Sequence, residues 1–169
     1  MIRQLRKLKD MYDVLYDKKW AKQQDPDSVL YEMQRETKIK NNMRYDITII
    51  PARLLGKEFV KTKGHSHPEQ EEYQVLEGEA IFLLQKDNKV KAIKAKKSDK
   101  IIIPSNWGHV TINPSRTKTL KLANWIKKDS QGDYSEFAKK QGACYFYTIS
   151  GWVKNPNYAE VAELALDKN

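Results

Sequence analysis

The chain has 169 residues, of which 40% are hydrophobic and 10% aromatic, so it can bury one well-packed domain and is not a wholly disordered chain. Its net charge of +9 would suit nucleic acid, an anionic surface or a phosphorylated metabolite, but no nucleic-acid motif accompanies the lysines, and we expect no nucleic-acid partner. The single Cys144 excludes an internal disulfide, and no apolar run approaches the roughly 20 residues of a membrane helix, so we expect a cytoplasmic protein without a membrane span.

Residues 1–43 are expected to form an N-terminal arm or helix that packs on the main domain. Leu5, Leu8, Met11 and Leu15 recur at nearly helical spacing, so residues 1–20 are compatible with an amphipathic helix. An extended arm is the competing interpretation. The polar stretch around Pro26 predicts a loop.

Residues 44–150 have the texture of an all-β domain. Short runs of β-branched and aromatic residues alternate with turn residues, which is typical of antiparallel strands in a sandwich or barrel. The runs lie at residues 47–50, 58–60, 73–76, 80–84, 90–93, 101–103, 109–112, 120–123 and 143–149. Residues 134–140 predict a short helix between the last two runs.

The last stretch, residues 151–169, is expected to be a short helical tail. Asn155-Pro156 precedes Asn157 to Leu166, and Pro is tolerated at the start of a helix. We therefore predict a C-terminal helix over residues 157–166.

The three histidines of the chain carry the strongest functional signal. His65 and His67 would point to the same face of a strand, because side chains two residues apart share a face. Glu71 follows beyond the turn at Pro68, and His109 enters a distant strand. Three imidazoles and a carboxylate suit a divalent transition metal. From spacing alone, a metal site and a set of unrelated solvated or core residues stay about equally open.

Two motifs of the sequence resemble those of the cupin superfamily. Residues 64–78, GHSHPEQEEYQVLEG, are similar to the first cupin motif, and residues 104–113, PSNWGHVTIN, are similar to the second. The second motif usually has glycine where Asp99 and Asn106 stand, both of which tolerate turns. The resemblance implies a cupin β-barrel, a double-stranded β-helix or jelly roll. It also implies one divalent metal ion per subunit, with His65, His67, Glu71 and His109 as ligands.

Within the cupins, the chain most resembles the cupin-type, archaeal glucose-6-phosphate isomerases. The shared texture includes residues 55–68, LGKEFVKTKGHSHP, the second motif, and Gly132-Asp133-Tyr134. This resemblance implies metal-dependent interconversion of glucose 6-phosphate and fructose 6-phosphate, with Glu71 as the catalytic carboxylate. It places Thr48, Thr62, Gly64, Tyr73 and Tyr134 on the sugar phosphate. Lys63 joins them as a point charge for the phosphate.

Some details of that site stay open at this point. Strict strand alternation puts Lys63 on the His65 face, whereas the resemblance selects Thr62, and a bulge at Gly64 would reconcile the two. The family has His where this chain has Gly132, and it has Tyr at a position near Trp125 or Ile126 of this chain. Part of the phosphate-binding site is therefore missing or built differently. Glu71 could bind the metal, relay a proton, or both, by an enediol or a hydride-shift route.

The cofactor and the partners follow from the same considerations. Four protein ligands plus a chelating substrate favour Fe²⁺, Mn²⁺ or Ni²⁺ over Zn²⁺, because filled tetrahedral zinc sites tend to be structural. The resemblance implies a homodimer. The alternative functions are another metal cupin enzyme, such as an oxygenase or a different sugar isomerase, and a non-catalytic sugar-binding cupin.

Overall fold

The computed structural model describes residues 1–168, which form fourteen β-strands and three short helical segments. In chain order the strands are β1 (Ile2–Lys7), β2 (Val29–Lys40), β3 (Met43–Ile50), β4 (Leu54–Leu55), β5 (Glu58–Phe59), β6 (Glu71–Glu77), β7 (Glu79–Lys86), β8 (Lys89–Lys96), β9 (Lys100–Ile103), β10 (Gly108–Ile112), β11 (Leu120–Lys127), β12 (Tyr145–Thr148), β13 (Gly151–Lys154) and β14 (Ala165–Lys168). The helical segments are a 3-10 helix (Leu8–Val14), α1 (Lys18–Ala21) and α2 (Ser135–Lys139).

The strands form three sheets. A six-stranded sheet has the order β1-β2-β3-β11-β6-β9, and two four-stranded sheets have the orders β10-β7-β8-β14 and β13-β12-β5-β4. Their inward faces share one hydrophobic core, and Tyr73 on β6 contacts Phe82 on β7 with 5.5 Å between ring centroids. The all-β jelly-roll prediction is confirmed, as are the short helix near residue 134 and the strand near residue 145.

Strand β6 belongs to a sheet that has one face on the core and the other exposed to solvent. Glu71, Tyr73 and Val75 are buried, whereas Glu72 between them is exposed, which is the period of two expected of a strand with one face on the core. A carboxylate thus occupies a core-facing position at the very start of β6. Burial of this kind points to a partner for its charge.

Of the two alternatives left open for residues 1–20, the extended arm describes the first part and an α-helix does not. Residues 2–7 form β1, which pairs antiparallel with β2, so the arm adds an edge strand to the six-stranded sheet. The apolar spacing that suggested an α-helix instead serves the 3-10 helix, where Leu8, Met11 and Val14 recur every three residues and are buried.

The predicted C-terminal helix over residues 157–166 is wrong. Asn155 forms a turn by accepting a hydrogen bond from the backbone N–H of Asn157 at 3.0 Å, and β14 pairs parallel with β8. The Tyr158 hydroxyl donates to the Gly142 carbonyl at 2.8 Å. These tertiary contacts, with the free edge of β8, outweigh the weak local preference for helix. No helix within residues 1–168 is long and apolar enough to cross a membrane.

Candidate active site

The backbone brings His65 and His109 together across 44 residues of sequence. The His65 N–H donates to the His109 carbonyl at 3.3 Å, and the His109 N–H donates to the His65 carbonyl at 3.0 Å. Residues that exchange both hydrogen bonds in an antiparallel pair lie directly opposite, so their side chains share a face. The two ring centroids are 4.6 Å apart.

His67 and Glu71 complete the cluster. The Nε2 atom of His67 lies 2.8 Å from Oε2 of Glu71, and Nε2 of His109 lies 3.6 Å from the same oxygen. All three of these side chains are buried. The carboxylate of Glu71 therefore stands at the centre of the histidines.

Backbone carbonyls fix which nitrogen of each ring faces that centre. Nδ1 of His67 donates to the Glu69 carbonyl at 2.8 Å, and Nδ1 of His109 donates to the Trp107 carbonyl at 3.3 Å. The Nε2 atoms then face inward, the orientation that second-shell hydrogen bonds give to metal-binding histidines.

The four side chains fit a metal ion. One ligand atom from each of His65, His67, Glu71 and His109 lies within 4.8 Å of the others. Within residues 1–168, Nε2 of His109 is a buried nitrogen without a hydrogen-bond partner, which a buried polar atom does not normally tolerate. Nε2 of His67 and Oε2 of Glu71, 2.8 Å apart, share a proton here whose place a cation would take. The fit supports the predicted ligand set.

The electrostatics of the site favour the neutral form of His65 and His109 and a proton on His67. Burial, with smaller contributions from His109 and His67, lowers the pKa of His65 to about 2, and burial also lowers the pKa of His109. At His67 burial opposes the charged form, but the hydrogen bond and charge of Glu71 raise its pKa overall. A divalent ion would replace the proton in that role.

Asn124 holds the second oxygen of Glu71. Its Nδ2 donates to Oε1 of Glu71, which leaves Oε2 directed at the histidines. Asn124 is buried on β11, where it is the Cα partner of Tyr73. Sequence reasoning missed it. The sequence signal that could have identified Asn124 is a polar residue at an inward-facing position of an otherwise apolar strand.

A narrow cavity opens beside His65 and His109. Each of the residues expected to contact substrate lines it, namely Thr48, Thr62, Lys63, Gly64, Tyr73 and Tyr134. The structure thus gathers them on one side of the histidines. In this conformation the cavity encloses about 30 Å³, close to the space of one water, so a sugar phosphate needs partly exposed side chains such as Tyr134 to move aside.

Gly64 resolves the conflict between Thr62 and Lys63. Its φ of +88° interrupts the regular alternation of the strand, and a Cβ there would lie 2.7 Å from Cγ2 of Val110. The Thr62 Oγ1 accepts a hydrogen bond from the Thr111 N–H at 2.9 Å. The Lys63 Nζ instead donates to the Asp10 carbonyl at 2.8 Å, so its charge is directed at the 3-10 helix.

Four further residues that line the cavity come from the N-terminal strands, and sequence reasoning named none of them as site residues. They are Arg6, Tyr31, Met33 and Arg35. No local sequence pattern identifies these residues, because they reach the histidines only through the pairing of β1 with β2 and of β2 with β3. A larger hollow of about 410 Å³ beside Lys94, Asp99 and Tyr147 contains no histidine, so volume alone does not identify the site.

Gly132 lies directly against His65. The backbone N–H groups of Ser66 and Asp133 each donate to the other residue's carbonyl, at 3.1 and 2.8 Å. A Cβ on Gly132 would lie 2.9 Å from Cδ2 of His65. The Tyr134 ring, two residues on, lies 5.3 Å from the His65 ring.

Comparison with solved structures agrees with the jelly roll. An oxalate oxidase in complex with the substrate analogue glycolate matches at a TM-score of 0.52 and 12% identity, covering 64% of this chain and 56% of that chain. A cupin-2 domain containing protein from Shewanella frigidimarina matches at a TM-score of 0.42 and 14% identity, covering 55% and 78% of the two chains. At such identities the likeness concerns the fold alone.

Comparison with known sequences is more specific. The family profile of glucose-6-phosphate isomerase matches residues 5–163. A glucose-6-phosphate isomerase from Pyrococcus abyssi is 30% identical over 168 residues, covering 91% of this chain and 87% of the relative. One from Thermococcus litoralis is 30% identical over 145 residues, covering 80% and 75%. These matches show that the chain belongs to the glucose-6-phosphate isomerase family and is an isomerase.

Proposed function

We propose that this enzyme is metal-dependent and interconverts glucose 6-phosphate and fructose 6-phosphate. The observation that carries the proposal is the juxtaposition of four inward ligand atoms with a cavity lined by every residue expected to touch the sugar phosphate. The family of the chain supports the same reaction.

His65, His67, Glu71 and His109 would hold one divalent ion, for which Fe²⁺, Mn²⁺ or Ni²⁺ is the natural choice. Such an ion, when bound, would polarise the carbonyl oxygen of the substrate. The buried walls formed by Tyr73 and Thr48 exclude water from the reacting carbons.

Glu71 is the proposed proton carrier. The reaction moves one hydrogen between C2 and C1 of the open-chain sugar and one between their oxygens. Asn124 holds Oε1 of Glu71, so Oε2 is the oxygen directed at His67 and His109. The Glu71 carboxylate would take the proton from C2 and return it to C1, while the hydroxyl proton passes from the oxygen on C2 to the oxygen on C1.

A coupled assay with both sugar phosphates tests this proposal. We expect turnover in both directions, its loss after chelation, and its return with Fe²⁺, Mn²⁺ or Ni²⁺. Glu71→Gln should lower kcat about 100-fold or more, the scale of general acid–base catalysis. Glu72→Gln is the matched control, since Glu72 is the exposed neighbour that pairs with Lys100 at 3.0 Å. Full activity in a metal-free preparation would refute the metal dependence, and absence of turnover with every metal would favour a sugar-binding role.

The same proposal includes a homodimer. Tyr45, Ile47 and Ile49 lie on the outer face of β3 and are only partly covered, and Tyr45 contacts Trp125 at 5.0 Å between ring centroids. An apolar outer sheet face of this kind suits a second copy of the chain. Light scattering should give twice the chain mass, and Ile47→Glu should give the monomer. A single chain mass for the unaltered protein would contradict this part.

We also place the enzyme in the cytoplasm. Cys144 is buried, and burial raises its pKa to about 12, so its thiol is inert and suits a reducing compartment. Fractionation of the source cells measures this directly, and recovery outside the cytoplasmic fraction would contradict it.

A further inference from the structure

Strand β1 places the positively charged side chain of Arg6 at the cavity. The pairing of β1 with β2 shifts register between Arg6 and Lys7, the mark of a β-bulge that redirects a side chain. The Arg6 guanidinium carbon lies 6.0 Å from the ring centroid of Tyr31 and 5.9 Å from that of Tyr134. All three residues line the cavity that contains His65.

The other cations of the cavity wall are already engaged. The Lys63 ammonium donates to the Asp10 carbonyl at 2.8 Å and lies 3.4 Å from the Asp13 carboxylate. Arg35 pairs with the buried Asp46 at 2.9 Å. Their charges are largely neutralised by these partners.

Arg6 differs from them. Among the described side chains, none of the ion pairs within 4.0 Å involves Arg6, whose polar neighbours are Tyr31, Tyr134 and Asp10, and its buried Nε lacks a hydrogen-bond partner. A buried donor without a partner costs free energy unless a ligand supplies an acceptor. A guanidinium can also bind phosphate with two parallel hydrogen bonds, and the contacts with the two aromatic rings hold that of Arg6 at the cavity.

We infer that Arg6 is a specificity-determining residue that binds the phosphate group of the substrate. This inference rests on the proposed function and deepens it by naming the residue that selects a phosphorylated sugar. Thr62 supports it from the other wall, because its Oγ1 accepts from the Thr111 N–H and its hydroxyl hydrogen remains free to donate to an anion. The N-terminal strand is thus part of the binding site.

The experiment compares Arg6→Gln with Arg3→Gln in the metal-loaded protein. Arg3 is the matched control, because it lies on the same strand but pairs with Glu32 at 2.8 Å in an exposed position. Calorimetry measures the binding of glucose 6-phosphate, inorganic phosphate and unphosphorylated glucose, and the coupled assay gives KM and kcat. Metal affinity and circular dichroism check that each variant is folded.

We expect Arg6→Gln to weaken the binding of glucose 6-phosphate and inorganic phosphate about 10- to 100-fold, and to raise KM similarly with kcat changed less than about threefold. Glucose binding and metal affinity should not change. Arg6→Lys should recover part of the loss, since it restores the charge but not the planar fork. Arg3→Gln should match the unaltered protein.

Two results would overturn the assignment. Unchanged phosphate and glucose 6-phosphate binding in a folded Arg6→Gln variant would refute it, as would an equal loss in Arg3→Gln. Failure of the isomerase proposal is distinguishable, because it would be absence of turnover in the unaltered protein, and loss of phosphate binding in Arg6→Gln would still support the role of Arg6.

Discussion

At the scale of single residues, Gly132 sets the space available to a proposed metal ligand. The position lies on an exposed loop and its φ is not in the left-handed region, so any residue could adopt its backbone. The restriction comes from His65, whose Cδ2 and Cγ would lie 2.9 and 3.0 Å from a Cβ. A larger residue would have to move that ring.

We predict that Gly132→Ala lowers metal affinity about 10- to 100-fold, because displacing the His65 ring perturbs a ligand as strongly as removing a second-shell contact. Competition with a metallochromic chelator measures the affinity. The control is Gln131→Ala, an exposed neighbour on the same loop, which should bind metal normally. Equal affinity of both variants would show that the loop adapts and that Gly132 is not a packing constraint.

At the scale of elements, a buried ion pair joins the N-terminal segment to the strand that leads into the histidines. Lys61 and Glu58 are each under 5% exposed and hydrogen-bond to each other. Lys61 Nζ also donates to the Val14 carbonyl at 2.7 Å, and Glu58 Oε2 accepts from the Tyr16 N–H at 2.9 Å. Each charge is therefore shared between its partner and the N-terminal backbone.

We predict that Lys61→Met lowers the free energy of unfolding by about 3–5 kcal/mol, because it leaves the Glu58 carboxylate buried without its cation. Burial already raises the pKa of Glu58 against the effect of Lys61, so without the lysine the carboxyl would bind a proton. Urea denaturation measures the loss.

The double variant Glu58→Gln/Lys61→Met should recover much of the lost stability, since no unpaired charge remains. Lys57→Met is the control, because Lys57 is exposed. If Lys61→Met were as stable as Lys57→Met, the Glu58–Lys61 ion pair would not hold the N-terminal segment in place.

At the scale of the whole molecule, the histidine cluster makes the stability of the metal-free protein depend on pH. The pKa values of His65 and His109 are lowered by burial, to about 2 for His65. Below the unfolded value of about 6.5, the unfolded chain binds protons that the folded chain does not, so stability falls as pH falls. The pKa of His67 is raised, and its contribution is fully present below pH 6.5, so it does not cancel that slope.

We predict that the free energy of unfolding of the metal-free protein falls between pH 6.5 and pH 5 by at most about 1.4 kcal/mol per pH unit for each of these two histidines. Urea titrations at several pH values measure it. His65→Gln should have a shallower slope over the same range. A flat profile in the unaltered protein would mean that the cluster accepts protons freely when folded.

The sequence by itself determined the strand pattern and which side chains cluster as candidate metal ligands. Alternation and turn residues located the strands between residues 44 and 150, because half-buried strands expose a local period of two. The two motifs predicted that His65, His67, Glu71 and His109 meet, and the structure brings their ligand atoms within 4.8 Å of one another.

Only the tertiary structure decided what the two ends of the chain do. The N-terminal apolar spacing fitted a helix, but the edge of β2 accepted residues 2–7 as a strand, and the edge of β8 did the same for the C-terminal segment. The placement of Arg6 and Asn124 in the site depends on those pairings and on long-range strand register. Local sequence cannot encode such contacts visibly, because the free energy that selects them comes from partners distant in the chain.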